Sequence, residues 1–203
     1  MDFYKVLSQR RTIRKFEPKA VEQIKLQRII EAGLKAPSHN HLREWEFIFV
    51  NDFEHRRVIV EQGACAKDYS ENEIAQAVAA MSEWEKPAYL ASLPLQKKML
   101  MTAPQLLIVC FRMRKSLKRC ETLYDLNSLA SVWLCIENIL LAMTAEKLAG
   151  VTFVPKNTTM LRKILKLPAD YEVAALIPIG YPKGEGVRQM PVSADEKTHF
   201  NEW

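Results

Sequence analysis

Arg10, Arg11 and Arg14 fall within one short run, Arg-Arg-Thr-Ile-Arg-Lys-Phe, at residues 10–16. Three guanidinium groups so close together repel one another unless an anion sits among them. Each offers a planar fork that grips phosphate oxygens in pairs. The chemistry this spacing implies is capture of a phosphorylated ligand, with the Thr12 hydroxyl as a further donor. The ordinary alternative is a solvated basic turn.

Three further groupings carry polar chemistry. Residues 37–45 read Pro-Ser-His-Asn-His-Leu-Arg-Glu-Trp and place Ser38, His39, Asn40, His41 and Arg43 in one loop. A long apolar pattern contains Glu137-Asn138 and leads into Ala149-Gly150-Val151-Thr152. Gly180-Tyr181-Pro182-Lys183-Gly184 is followed by Arg188. Singly, each has a plain structural reading: a capped turn, a self-satisfied helical pair, a strand exit.

The elements that must position these groups are legible as periodicities. Residues 2–9 and 21–35 follow helical spacing, the second with Ile24, Leu26, Ile29, Ile30 and Leu34, and Pro37 ends it. Residues 45–50 and 103–111 are β-branched, aromatic or aliphatic runs that predict buried strands, and residues 172–181 predict a third. Residues 53–63, 71–80 and 159–165 predict helices. Residues 123–148 predict the longest one, apolar nearly all round and therefore a core or subunit-interface helix, with Gly150 as its stop. Thr152-Phe153-Val154 predicts a short strand. Residues 81–98, with Trp84, Pro87, Tyr89 and Pro94, show no clean period and read as an excursion over a pocket or a partner. The class that follows is α/β or α+β, with a sheet covered on both faces. Trp203, at the end of the chain, is expected to pack against something, such as a second subunit.

Composition narrows the function classes. The 203 residues suit one domain, 1–203, and 48% hydrophobic with 26% charged residues is ordinary for a globular protein. The net charge of +5 suits phosphate-bearing small molecules. The cations form no aromatic-interleaved stripe, which argues against nucleic acid. The four cysteines lack C-x-x-C spacing and no metal signature appears; Cys110 and Cys135, in apolar runs, read as buried thiols. The opening residues do not read as a signal peptide, and the apolar stretches read as too short or interrupted to span a bilayer, so no membrane role and a cytoplasmic location are expected.

Taken in order, the motifs resemble the nitroreductase family of flavin enzymes. Residues 10–16 are similar to that family's Arg-Arg-Ser-x-Arg-x-Phe opening, with Thr12 in the Ser place. Ala36-Pro37-Ser38, Asn40 and Trp45-Glu46-Phe47 resemble its second motif. Glu137-Asn138-Ile139-Leu140-Leu141-Ala142 with Gly150 resembles the central helix, Ile179-Gly180-Tyr181-Pro182 the closing motif, and Phe200-Asn201-Glu202-Trp203 the family's C-termini. One departure stands out. Where the family runs Asn-x-Gln-Pro-Trp, this chain has His41-Leu42-Arg43-Glu44-Trp45, so that Arg43 stands in the Gln place.

The resemblance implies an α+β nitroreductase-like fold: a central, mostly antiparallel sheet flanked by helices, built as an intertwined homodimer with residues 182–203 packing on the partner. It implies FMN at the subunit interface, NADH or NADPH as reductant, and a small-molecule electron-poor acceptor such as a nitroaromatic or quinone, reduced by a ping-pong mechanism. Arg10, Arg11, Thr12 and Arg14 match the positions that hold the FMN phosphate and ring edge, with Arg188 and, more weakly, Lys183 completing the phosphate site. Pro37, Ser38, His39, Asn40, His41 and Arg43 match the loop that meets the flavin from the other subunit. Thr152, Phe153, Val154 and Pro155 would lie near the ring, and Trp84 and Tyr89 on the acceptor side. No catalytic side chain is expected, because the flavin carries the hard step and the protein places it and polarises its pyrimidine edge. The rival expectations are dehalogenation or metabolite oxidation on the same scaffold, and a flavin-binding module without turnover.

Overall fold

The strands β1 (Trp45–Phe49), β2 (Gln105–Arg112), β3 (Ala149–Gly150) and β4 (Tyr171–Gly180) form one sheet in the order β1-β2-β4-β3, with every neighbouring pair antiparallel. The computed structural model describes residues 2–186 and 192–203. β2 and β4 lie in the middle and are buried along nearly their whole length, as their unbroken apolar sequences require. β1 is an edge strand, and only Trp45 of its five residues is fully buried, so the expectation of a largely buried strand holds for one end of it.

Side chains of β2 alternate between two cores. Leu107, Val109 and Phe111 join one cluster with α2 (Gln23–Leu34) and α7 (Asn127–Ala145). Leu106, Ile108 and Cys110 join the other. That second cluster takes Ile59 and Val60, from a π-turn that follows α3 (Phe53–Val58), together with Met99 and Leu100 of α6 (Gln96–Thr102) and Leu161 of α8 (Thr158–Leu165). A register shift at Val109/Cys110 against β4 bends the sheet between them. The architecture is α+β with both sheet faces covered.

α2 and α7 pack closely because of Gly33. A Cβ there would lie 2.8 Å from Ile139 Cγ1 and 3.1 Å from Cys135 Sγ. Asn138 Nδ2 then donates to the Ala32 carbonyl at 3.1 Å and fixes the register of the pair. Leu123–Ala145 is long and apolar enough to cross a bilayer by length and composition, with a mean hydropathy of 1.6, contrary to the reading of the sequence as too interrupted. Here it packs on α2 and the sheet instead.

Three local expectations change. α7 ends at Ala145 because Lys147 takes up a left-handed conformation (φ 61°), several residues before Gly150. Gly150 sits in β3, where a Cβ would collide with the Pro178 carbonyl oxygen. The strand expected at residues 152–154 is a single bridge, Phe153 to Leu176. Residues 81–98 are substantially helical, with α5 (Lys86–Ser92), a 3-10 turn and the start of α6 following α4 (Glu71–Val78). Pro87 and Pro94, which break the sequence pattern, occupy the first turns of these helices, where a proline lacks no hydrogen bond. Trp203 is fully exposed on this chain and stacks only on His199, ring centroids 4.9 Å apart.

Gly33→Leu should destabilise the fold by about 1–3 kcal/mol through overpacking against Ile139, read as a lower urea midpoint with an unchanged slope. Burial pushes the Cys110 and Cys135 thiols up to about 12. A thiol reagent at pH 8 should therefore label Cys65 and Cys120 at most in the folded protein, and all four cysteines after denaturation.

Candidate functional site

The arginine run is a strap held by backbone hydrogen bonds on two sides. It leaves α1 (Phe3–Gln9) and runs beside β3, where Thr12 bridges Gly150 and Ile13 N donates to Gly150 O at 3.3 Å. Farther on, Phe16 bridges Pro182, Glu17 N donates to Tyr181 O and Lys183 N donates to Lys15 O, each at 3.0 Å. Ile13 is buried and anchors the strap, while the basic side chains on either side of it stay within reach of solvent.

These pairings bring Lys183 to the arginine run. Thr12, Arg14, Lys15 and Lys183 border one cleft of about 220 Å³. Arg10, Arg11 and Thr12 border a smaller one of about 80 Å³ with Gly150, Val151 and Thr152. Arg11 also lines a cleft of about 540 Å³ between α1, the end of α7 and residues 182–186, a volume typical of small-molecule sites. The exit of β4 is braced by a polar network. Tyr181 Oη donates to Glu22 Oε2 at 2.5 Å and accepts from Lys25 Nζ at 2.7 Å, and Lys25 Nζ also reaches the Glu146 carbonyl at 3.1 Å.

Among the described residues, none of Arg10, Arg11, Arg14, Lys15 and Lys183 is ion-paired, although thirteen salt bridges form elsewhere. Arg14 is half-buried, and burial alone pulls its pKa below the usual arginine value. A half-buried arginine that is in no salt bridge, beside Lys15 and Lys183 in a cleft whose one carboxylate is Glu185, favours an anionic occupant. Arg11 is the exception in its use. Its Nη1 donates to the Ser8 and Arg10 carbonyls at 2.6 and 2.8 Å, so part of its guanidinium caps α1. Arg188 lies outside the described residues.

The second loop stands apart. Residues 37–43 fold at the start of α7, where His39 N donates to Ser131 Oγ at 3.0 Å and Ser38 Oγ accepts from Arg43 N at 3.1 Å. His39 meets Tyr124 edge-on, ring centroids 5.1 Å apart. Asn40, His41 and Arg43 all have positive φ (51°, 56° and 47°), a compact turn that is costly for residues other than glycine and is held by these bonds. The arginine strap lies at the other end of the same helix, by Thr144. Thirteen residues of helix separate Ser131 from Thr144, a rise of about 20 Å. Within one chain, Pro37, Ser38, His39, Asn40, His41 and Arg43 are therefore not brought to Arg10 and Arg14.

Thr152, Phe153 and Val154 border a cleft of about 350 Å³ with Arg14 and Tyr89; Pro155 follows them. Trp84, in contrast, is 84% exposed and borders none of these clefts. Lys15, Gln96 and Lys156 line clefts that the sequence reading left out. Lys15 could have been found from its place inside the opening motif. Gln96 was hidden by the absence of periodicity in 81–98, and a lone lysine such as Lys156 carries no sequence signal.

The donor set fits a phosphorylated flavin. Arg14, Lys15 and Lys183 around one cleft, outnumbering Glu185, suit a phosphate dianion, and a half-buried Arg14 beside residues 152–154 suits a polarisable ring edge. Arg11→Ala should cost about 1 kcal/mol of stability through loss of its α1 carbonyl contacts, read as a lower thermal midpoint without ligand.

The chain is 25% identical to iodotyrosine deiodinase of Haliscomenobacter hydrossis over 89% of its own length and 79% of that protein, and 27% identical to the Daphnia pulex enzyme over 90% of its length. It spans about three-fifths of the Daphnia and Danio rerio proteins it matches. Its fold superimposes on a crystal structure of oxidized iodotyrosine deiodinase bound to FMN and 3-iodo-L-tyrosine, with TM-score 0.77, 21% identity and all of both chains covered. It also superimposes on NADPH:FMN oxidoreductase from Vibrio harveyi complexed with NAD+, with TM-score 0.71, 20% identity, and 99% and 77% of the two chains covered. The family model "Nitroreductase family" matches residues 7–181, from the arginine strap to the exit of β4, and the chain belongs to the nitroreductase family.

Proposed function

We propose that the chain is an FMN-dependent reductase that works as a homodimer. The observation that carries this reading is the set of cations on the strap and at Lys183, none of them in a salt bridge among the described residues, around clefts whose one acidic lining residue is Glu185. Arg10, Arg14 and Lys183, with Arg188, hold the phosphate, and Thr12 adds a donor. The chemistry FMN supplies when bound is uptake of two electrons from NADH or NADPH and their delivery to an acceptor. The chain's own task is to place the ring beside residues 152–155 and keep positive charge near its pyrimidine edge.

The helix-length gap between the strap and residues 37–43 supports the dimer. A second copy supplies its loop with Ser38, Asn40 and Arg43 to the site that this copy's loop cannot reach. Exposed Leu134 on α7, and Val192, Phe200 and Trp203 in the C-terminal extension, give that second copy an apolar surface to cover. The four free cysteines and the nicotinamide reductant suit the cytoplasm.

The acceptor in this reading is an electron-poor small molecule such as a nitroaromatic or quinone, reduced by ping-pong kinetics. Reductive dehalogenation is a second reading, favoured by the relatives named iodotyrosine deiodinase. Anaerobic assays against nitro, quinone and halogenated aromatic acceptors separate the two. A flavin that NADH and NADPH both fail to bleach would instead mark a binding module without turnover. The Arg10→Ala/Arg14→Ala double variant should purify colourless, and retention of flavin absorbance would contradict the phosphate assignment.

A further inference from the structure

Residues 17–22 wrap around one side chain, that of Tyr181 at the exit of β4. Glu17 N donates to the Tyr181 carbonyl at 3.0 Å, Lys19 Nζ lies 4.1 Å from the centre of its ring, and its hydroxyl donates to Glu22 Oε2 at 2.5 Å. The chain then enters α2. From the first turn of that helix Lys25 Nζ donates to the same hydroxyl at 2.7 Å and to the Glu146 carbonyl at the end of α7 at 3.1 Å. One phenol thus ties the strap, the start of α2 and the end of α7 together. The bonds of Tyr181 also hold the Glu22 carboxyl below its usual range and raise the Lys25 ammonium above its own, so the two stay oppositely charged at neutral pH.

The cations of the strap hang from the same backbone. Lys183 N donates to Lys15 O at 3.0 Å and Phe16 bridges Pro182, so Lys15 lies two residues from Glu17 and Lys183 two residues from Tyr181 across one ladder. Among the described residues no salt bridge of their own holds Arg14, Lys15 or Lys183 in place. A charge-assisted hydrogen bond to a phosphate oxygen spans about 2.7–2.9 Å, and a shift of about 1 Å removes it. The ladder must therefore be fixed from outside the cation set.

We propose that Tyr181 is a positioning residue for the FMN phosphate: its hydroxyl, clamped by Glu22 and Lys25, sets where the strap presents Arg14, Lys15 and Lys183. This rests on the FMN reading. Tyr181 and Glu22 touch no phosphate oxygen themselves, and Glu22 carries the wrong charge to attract one. Their contribution acts through the geometry of the strap, so it bears on the phosphate and not on the ring.

The test is titration of the full-length apoprotein with FMN and with riboflavin, followed by quenching of flavin fluorescence. Tyr181→Phe keeps the ring and removes only the hydroxyl. It should weaken FMN roughly two- to tenfold and leave riboflavin unchanged. Glu22→Ala decides between geometry and charge. Loss of a nearby carboxylate should by electrostatics alone tighten FMN binding, whereas loss of the clamp should weaken it by about the same factor as Tyr181→Phe. Glu22→Gln, which keeps an acceptor for the hydroxyl, should restore binding. Because Glu22 is half-exposed, its variants keep the test decisive if Tyr181→Phe folds poorly. FMN and riboflavin weakened equally, or tighter FMN binding by Glu22→Ala, overturns the proposal. Wild-type protein without preference for FMN over riboflavin overturns the phosphate reading beneath it, whereas a wild-type preference that Tyr181→Phe leaves intact overturns this inference alone.

Discussion

Like charges held close together need a reason, and in this fold the reason is a backbone strap. Residues 10–17 are pinned to Gly150 on one side and to Tyr181 and Lys183 on the other. Those hydrogen bonds bring Arg10, Arg14, Lys15 and Lys183 to neighbouring clefts in which, among the described residues, the cations outnumber the single carboxylate, Glu185. Mutual repulsion among these cations is relieved by an anion placed between them. The rest of the chain serves that geometry. β3 and the exit of β4 are the rails, and the Tyr181–Glu22–Lys25 network braces the second rail against α2 and the end of α7.

α7 sets the second constraint. It is rigid, packed against α2 through Gly33 and Asn138, and long enough to keep its two ends about 20 Å apart. The strap lies at one end and the 37–43 loop at the other. In the proposed homodimer a site that needs both is built from two copies of the chain, with each α7 serving as a spacer as well as a core element. The partial exposure of this apolar helix fits that double use.

Much of this was legible in the sequence, for physical reasons. β2 and β4 announce themselves because central strands must be apolar on both faces. The arginine run is conspicuous because such a cluster is electrostatically unfavourable without a ligand. Cys110 and Cys135 read as buried from the apolar runs around them. What stayed hidden depends on conformation rather than pattern. Pro87 and Pro94 look like breaks, yet they begin helices. Lys147 stops α7 through a left-handed backbone that lysine rarely adopts, while the expected stop, Gly150, answers a demand for close approach in the sheet. Asn40, His41 and Arg43 form a turn with three positive φ angles that no residue-type preference foretells. Arg11 belongs to the motif, but part of it caps a helix. Lys156 becomes noticeable only when the cleft around it is seen to lack any acid.

In the proposed FMN site the phosphate, rather than the ring, is the anchor. Paired titrations of apoprotein with FMN and with riboflavin, which lacks only the phosphate, measure this directly. Charge-assisted bonds of about 1.5–3 kcal/mol each, from two or more cations, predict that FMN binds at least about a hundredfold more tightly. That margin should shrink as salt concentration rises. Equal affinity for the two, indifferent to salt, would contradict the account.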